Sequence, residues 1–269
     1  PHGVMDPVAD LAALAVRKGV WLHVDCCLGG FVLPFARRLG RAIPAFDFGL
    51  PGVCSMSVDT HKFGMAHKGT SVVLYRSPEL RAFQYTRITD WPGGLYISPG
   101  FAGSRSGALV ASAWASLAHL GEDGFLAATK RLLQSRDAFV AGLERIPALE
   151  VLGDPEMCVV AFAAAPQEAK RLDIYRVHDR LTARGWHLNP LQFPPALHMC
   201  FTAAHGEEDV RQLLADLHEV VTAELDNPTR GAGGDAPMYG AAAAMPDRRI
   251  VGDLLVGYQH VLLDTVGDA

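Results

Sequence analysis

The sequence predicts an α/β layered fold, and three observations lead there. Apolar runs of strand length alternate with stretches of helical periodicity. Glycine and proline punctuate the joins between them. Two of the runs end in polar, chemistry-bearing residues: Leu22-His23-Val24-Asp25, and Ser57-Val58-Asp59-Thr60-His61-Lys62-Phe63-Gly64. Open α/β sheets carry their functional groups at such strand ends.

The elements follow in chain order. Asp6-Pro7 opens a helix, with Asp6 as N-cap and Pro7 in the first turn; Val8, Leu11, Leu14 and Ala15 share a face, and Gly19 ends it. Residues 20–24 read as a short strand, and Gly29-Gly30 makes a tight turn soon after Asp25. Residues 53–58 and 70–75 are further strands. Residues 80–90 are helical or irregular, and Trp91-Pro92-Gly93-Gly94 and Ser98-Pro99-Gly100 mark loops. Residues 107–120 read as a small-residue apolar helix that should be buried. Residues 124–145 form a long amphipathic helix, broken by Ile146-Pro147, and a boundary is placed there: 1–146 as one domain, 147–269 as a smaller one. In the second part, strands at 159–163 and 197–202 alternate with helices at 174–184 and 207–224. Residues 230–244, rich in Gly and Ala, read as a mobile loop, and a last helix follows Pro246.

Composition narrows the function. The chain has 269 residues, is 49% hydrophobic and 20% charged, and carries a net charge of −5 with a pI near 6.1. That is a normal globular balance without the basic excess of a nucleic-acid binder. No apolar run reaches the roughly 18 residues of a membrane span, and no signal peptide is visible. Cysteines 26, 27, 54, 158 and 200 form no CxxC pair and no metal-like spacing, which points to reduced thiols in a cytoplasmic setting. The chain opens at Pro1, directly in a motif-bearing segment, as expected if an N-terminal portion lies elsewhere.

An aspartate and a lysine buried on neighbouring strand ends are what pyridoxal phosphate chemistry requires. The lysine forms a Schiff base with the cofactor, and the aspartate keeps the ring nitrogen protonated so that the ring accepts electrons. Asp25 and Lys62 are the candidates. Plainer readings stand beside these: Lys62 as a surface lysine, Asp25 as a helix cap, His61 as a backbone hydrogen-bonder, Lys68 as an exposed lysine before a turn, Ser104 as part of a turn. His23 is either a core hydrogen-bonder or a site residue.

The motifs HVDCCLGGF at 23–31, SVDTHKFGMAHKG at 57–69, TDWPGGLYISPGFAGSRSG at 89–107 and LNPLQFPPALHMC at 188–200, with MYG at 238–240 and DRRIV at 247–251, resemble the sphingosine-1-phosphate lyases. The resemblance runs in order through nearly the whole chain. It implies the fold type I (aspartate aminotransferase-like) architecture, near the group II decarboxylases, here as part of the large domain plus a small C-terminal α/β domain. It implies pyridoxal phosphate as cofactor, Lys62 as the Schiff-base lysine, Asp25 on the pyridinium nitrogen and His61 on the cofactor phosphate. Cys27 matches a family cysteine beside the cofactor. Gly103 and Ser104 would reach the cofactor phosphate of the partner subunit in a homodimer, and Lys68 would meet the substrate phosphate. The family's Gly-Thr phosphate cup and ring-stacking histidine are not in this chain.

The implied activity is retro-aldol cleavage of a phosphorylated sphingoid base to a long-chain aldehyde and phosphoethanolamine. Lys62 is then the nearest base, with His67 second. An amino-acid decarboxylase would use Lys62 and Asp25 in the same way. A third reading is an inactive fragment that requires a separate N-terminal half.

Overall fold

The computed structural model describes residues 1–100, 102–228, 234 and 236–263. Helix α1 (Val8–Lys18) leads to strand β1 (Leu22–Asp25). A single 3₁₀ turn at Gly29–Phe31 and helix α2 (Leu33–Arg38) follow, then strands β2 (Val53–Val58) and β3 (Val72–Tyr75). These strands form one sheet in the order β1-β2-β3, with β1 and β2 parallel and β2 and β3 antiparallel. A parallel pair needs a crossover, and α2 with the segment after it supplies one.

Gly19 closes α1 in the left-handed region at φ 62°, where glycine meets no Cβ penalty. The start of α1 differs from expectation: Pro7 occupies the cap position without a side-chain cap, so Asp6 is not the N-cap. The buried face also differs. Val8, Ala12 and Ala15 pack inward, while Leu11 and Leu14 stay exposed, because small residues allow the helix to lie close against the sheet.

Residues 80–90 resolve into the one-turn helix α3 (Pro78–Arg81), a 3₁₀ turn, and strand β4 (Thr86–Ile88), which pairs with β5 (Tyr96–Ser98) as an antiparallel ribbon. Helix α4 spans Gly107–Leu143 and is interrupted at Gly121 (φ 55°, ψ −170°), so the two helices read from the sequence are two limbs of one element. The first limb is not buried: Val110 and Trp114 are 66% and 72% exposed. An apolar sequence predicts burial only where another layer covers it, and no described element packs along this limb. Its tie to the site region is Ser116, whose hydroxyl donates to the Gly64 carbonyl at 3.1 Å.

The second limb of α4 buries Phe125, Leu132, Leu133, Phe139 and Leu143. Leu132 and Leu133 pack with Val24, Val53 and Met56 of the first sheet. About two to three turns on, Phe139 and Leu143 pack into a second core. That core lies under an antiparallel sheet in the order β6-β7-β9-β8, built from β6 (Leu149–Leu152), β7 (Val159–Ala164), β8 (Asn189–Leu191) and β9 (Ala196–Cys200). Helices α5 (Ile174–Thr182) and α6 (Glu207–Asp226) cover it with Val177, Leu181, Leu213, Leu217 and Val221. Strands β6 and β8 escape sequence reading because they are short and lie at the sheet edges. The stretch read as a mobile loop contains helix α7 (Ala236–Ala244), which the alanine run favours; residues 229–233 and 235 lie outside the described residues. Helix α8 (Arg248–Leu263) buries no side chain. Among the described residues no helix is long and apolar enough to cross a membrane.

Phe139 is fully buried, with ring centroids 5.9 Å from Phe162 and 5.2 Å from Phe201. Phe139→Ala is expected to destabilise the chain by about 3–5 kcal/mol, read from the urea midpoint at constant m-value.

Candidate active site

The parallel register of β1 and β2 builds the site. It sets His23 beside Ser55 and Asp25 beside Ser57. Ser57 Oγ donates to Asp25 Oδ1 at 2.8 Å, and the Cys27 N–H donates to the same oxygen at 2.9 Å. The His23 ring bridges both serines, Nδ1 to Ser55 Oγ at 2.8 Å and Nε2 to Ser57 Oγ at 3.3 Å. His23 is therefore an exposed hydrogen-bonder on the same face of β1 as Asp25, lining the same cleft, not a core group. The turn after Asp25 is pressed against β2: a Cβ at Gly30 would stand 2.6 Å from Val58 Cγ1. Only glycine allows that approach.

The Cys27 N–H, with help from the Ser57 hydroxyl and the Cys27 thiol, holds the Asp25 carboxyl below its ordinary value, since each stabilises the anion. The neighbouring Cys26 behaves oppositely: burial, with the Asp25 charge beside it, pushes its thiol up to about 11. Cys26 is an inert core thiol.

Lys62 sits in the turn that follows β2. Its Nζ pairs with Asp59 Oδ2 at 2.9 Å, and that bond, with the Cys27 thiol nearby, raises the lysine above its usual value. His61 donates from Nδ1 to the Thr70 carbonyl, and its Nε2 lies 3.9 Å from Asp59 Oδ2. Asp25, Cys27, His61 and Lys62 thus gather beyond the C-terminal ends of β1 and β2, with the Cys27 N–H donating to Asp25 and the Cys27 thiol near enough to raise the Lys62 amine.

One expectation is corrected. Asp25 and Lys62 are not buried: Asp25 is exposed, and the Lys62 side chain is 35% exposed. The reason is positional, for β1 is an edge strand and has a neighbour on one side only. A cleft of about 460 Å³ opens on that free side, with Asp25 on its wall but not Lys62. Gly103 and Ser104, expected at the cofactor phosphate of a partner subunit, are not tested by a single chain. They lie in an exposed loop between β5 and α4, and among the described residues no hydrogen bond or ion pair joins them to Lys62, Asp25 or His61. Lys68 is exposed in the next turn; its carbonyl pairs with His67 Nδ1 at 3.1 Å, and among the described residues its side chain has no hydrogen bond or ion pair.

Sequence reading gave no role to Ser57 or Asp59. The i,i+3 spacing of Asp59 and Lys62 was an available signal for their pair. The Ser57–Asp25 bond depends on register, and a sequence alone does not show it. The same holds for Cys158 and Cys200, which are 42 residues apart yet have sulfurs 3.9 Å apart as free thiols.

A strand-end lysine and a strand-end carboxylate on adjacent parallel strands define a pyridoxal-phosphate-type site on an α/β sheet. The chain belongs to the pyridoxal-dependent decarboxylase family, whose conserved-domain model matches residues 2–165. It is 50% identical over 258 residues to the sphingosine-1-phosphate lyase of Arabidopsis thaliana, covering 96% of this chain and 46% of that protein. The solved sphingosine-1-phosphate lyase of Burkholderia pseudomallei is 40% identical with a TM-score of 0.85, over 98% of this chain and 54% of that one. Glutamate decarboxylase of Lactobacillus brevis shares the fold at TM-score 0.72 and 20% identity, over 86% of this chain and 54% of that one. The chain spans about half the length of the curated relatives it matches.

Family membership implies pyridoxal phosphate as the cofactor, and the residues gathered here fit it. The Cys27 N–H and the Ser57 hydroxyl both donate to Asp25 Oδ1 and hold the carboxylate as an exposed anion, which suits a cationic ring nitrogen. The Lys62 amine lies beside the same cysteine that contacts Asp25.

Proposed function

We propose that this chain carries the lysine-bearing part of a carbon–carbon lyase that cleaves phosphorylated sphingoid bases to a long-chain aldehyde and phosphoethanolamine. The observation that carries this reading is 50% identity, across 96% of the chain, to a protein named as such a lyase. The conserved-domain name keeps amino-acid decarboxylation as the second reading.

When bound, the cofactor supplies an electron sink for the pair released at substrate C2. Lys62 is the group that bonds to it. The Asp25 carboxylate holds the ring-nitrogen proton, and the bonds from Ser57 and Cys27 keep it ionised and aimed. His61, next to Lys62 in the same turn, suits the cofactor phosphate. In its free, neutral form Lys62 Nζ would take the proton from the C3 hydroxyl; the C2–C3 bond would break, C3 leaving as the aldehyde carbon, and Nζ would return that proton to C2. General-base help of this kind is worth ~10²–10⁴ in rate. Gly103 and Ser104, both exposed, suit contact with the cofactor phosphate of a partner in a homodimer. The free cysteines suit a reducing, cytoplasmic setting.

Lys68 gives the substrate phosphate a point-charge partner. Lys68→Ala is expected to raise KM for a phosphorylated sphingoid base about tenfold, with pyridoxal phosphate affinity unchanged. Equal loss of both contradicts this role. The reading as a whole is tested by product analysis with the chain, pyridoxal phosphate and a phosphorylated sphingoid base. A fatty aldehyde with phosphoethanolamine supports the lyase. Carbon dioxide from an amino acid supports the decarboxylase, and no turnover means the chain does not act by itself.

A further inference from the structure

Asp59 lies at the centre of the site, yet no step above uses it. Its side chain is only 14% exposed, and both of its oxygens are engaged. The Ser71 hydroxyl, from the segment entering β3, donates to Oδ1. Oδ2 faces Lys62 Nζ at 2.9 Å and His61 Nε2 at 3.9 Å. The His61 ring is in turn pinned by the Thr70 carbonyl. Asp25, by contrast, takes its bonds from Ser57 and Cys27 and has no ion pair with Lys62. The site therefore holds two carboxylates in different settings, one set up for a ring nitrogen and one already engaged with the lysine.

An exposed i,i+3 ion pair contributes little, because two long side chains must be ordered to make it. Here the carboxylate is sheltered and fixed by Ser71, so only the lysine is ordered. We propose that Asp59 is a positioning residue for Lys62: in the cofactor-free chain it docks the lysine ammonium at a fixed place beside the site, so that Nζ must leave Asp59 before it acts as a nucleophile. The consequence for catalysis rests on the reading of Lys62 as the cofactor lysine, although the pairing itself does not. Burial opposes ionisation of Asp59, but the Ser71 and Lys62 bonds outweigh it, and the carboxyl lies below its ordinary value. The titratable groups facing the pair are His61 from the same turn and Cys27 from the end of β1; Thr70 and Ser71 are neutral. A lysine held this way is cationic at neutral pH, and a cationic amine is not a nucleophile. Binding of an anionic aldehyde cofactor must therefore draw Nζ off Asp59, and release returns it to a fixed place.

The test is a pH titration of the full chain with its lysines reductively ¹³C-methylated, the Lys62 signal being assigned by its loss in Lys62→Arg. In Asp59→Asn, Lys62 is expected to titrate at lower pH than in the wild type, and Asp59→Glu is expected to restore much of the difference. Coincident curves for wild type and Asp59→Asn overturn the proposal. Should the asparagine chain not fold, the wild type still decides: the Asp59 carboxyl ¹³C signal should show a second inflection at the Lys62 titration that vanishes in Lys62→Met, and its absence in the wild type is equally contrary. As a cofactor readout, covalent capture of pyridoxal phosphate at neutral pH should quicken about three- to tenfold in Asp59→Asn. Failure of capture in every chain would count against the proposed function and leave the titration result standing.

Discussion

A chain with alanine in place of Lys62 is expected to form no covalent adduct with pyridoxal phosphate and to lose turnover by at least the ~10²–10⁴ that a general base contributes. The effect is large because one atom, Nζ, serves two purposes. It bonds to the cofactor, and in its free form it is the base nearest the substrate hydroxyl. The fold should not suffer, because the side chain is 35% exposed and its partner Asp59 keeps the Ser71 bond. Visible absorbance of the chain with pyridoxal phosphate, read beside its circular dichroism, checks both points. A persisting adduct in Lys62→Ala would move the site to another lysine.

Asp25→Asn carries the second large effect. Asparagine keeps the size of the side chain and an oxygen able to accept from Ser57 Oγ and the Cys27 N–H, so geometry survives while the charge is lost. The covalent adduct on Lys62 should still form. Turnover should fall by about 10²–10³, the usual size for losing one preorganised electrostatic contact. The pH dependence follows from the direction of the shift. With its folded-state value depressed, the Asp25 carboxyl stays ionised through the neutral range and protonates only as pH falls below the ordinary carboxylate region near ~3.9. Stability linked to it is thus present above that region and lost beneath it. An acid limb in the rate profile near pH 6 must therefore belong to a different group. A drop of less than tenfold in Asp25→Asn would remove Asp25 from the ring nitrogen.

Much of this site was legible before the structure. Strand-length apolar runs ending in Asp25 and in the His61-Lys62 pair pointed to strand-end chemistry, and the fold sets both at or just beyond the C-terminal ends of parallel strands. Helix ends marked by Gly19 and the break at Gly121 were readable for the same reason, since positive φ selects glycine. What failed to show depends on neighbours distant in sequence. The exposure of Asp25 comes from the edge position of β1, and that of Val110 and Trp114 from the lack of a covering layer; apolar patterning encodes neither. Ser57 acquires its part only through the β1–β2 register, and Ser71 only through the return of β3 beside β2. The alanine-rich stretch was misread because a low-complexity run resembles a linker, whereas alanine is also the best helix former.

The central claim is that Lys62 is the covalent attachment point of the cofactor. The direct measurement is borohydride reduction of the chain with pyridoxal phosphate, followed by peptide mapping by mass spectrometry. A single pyridoxyl group on Lys62, lost in Lys62→Ala, is the predicted result. A group spread over Lys18, Lys68, Lys130 and Lys170, or none at all, would contradict it.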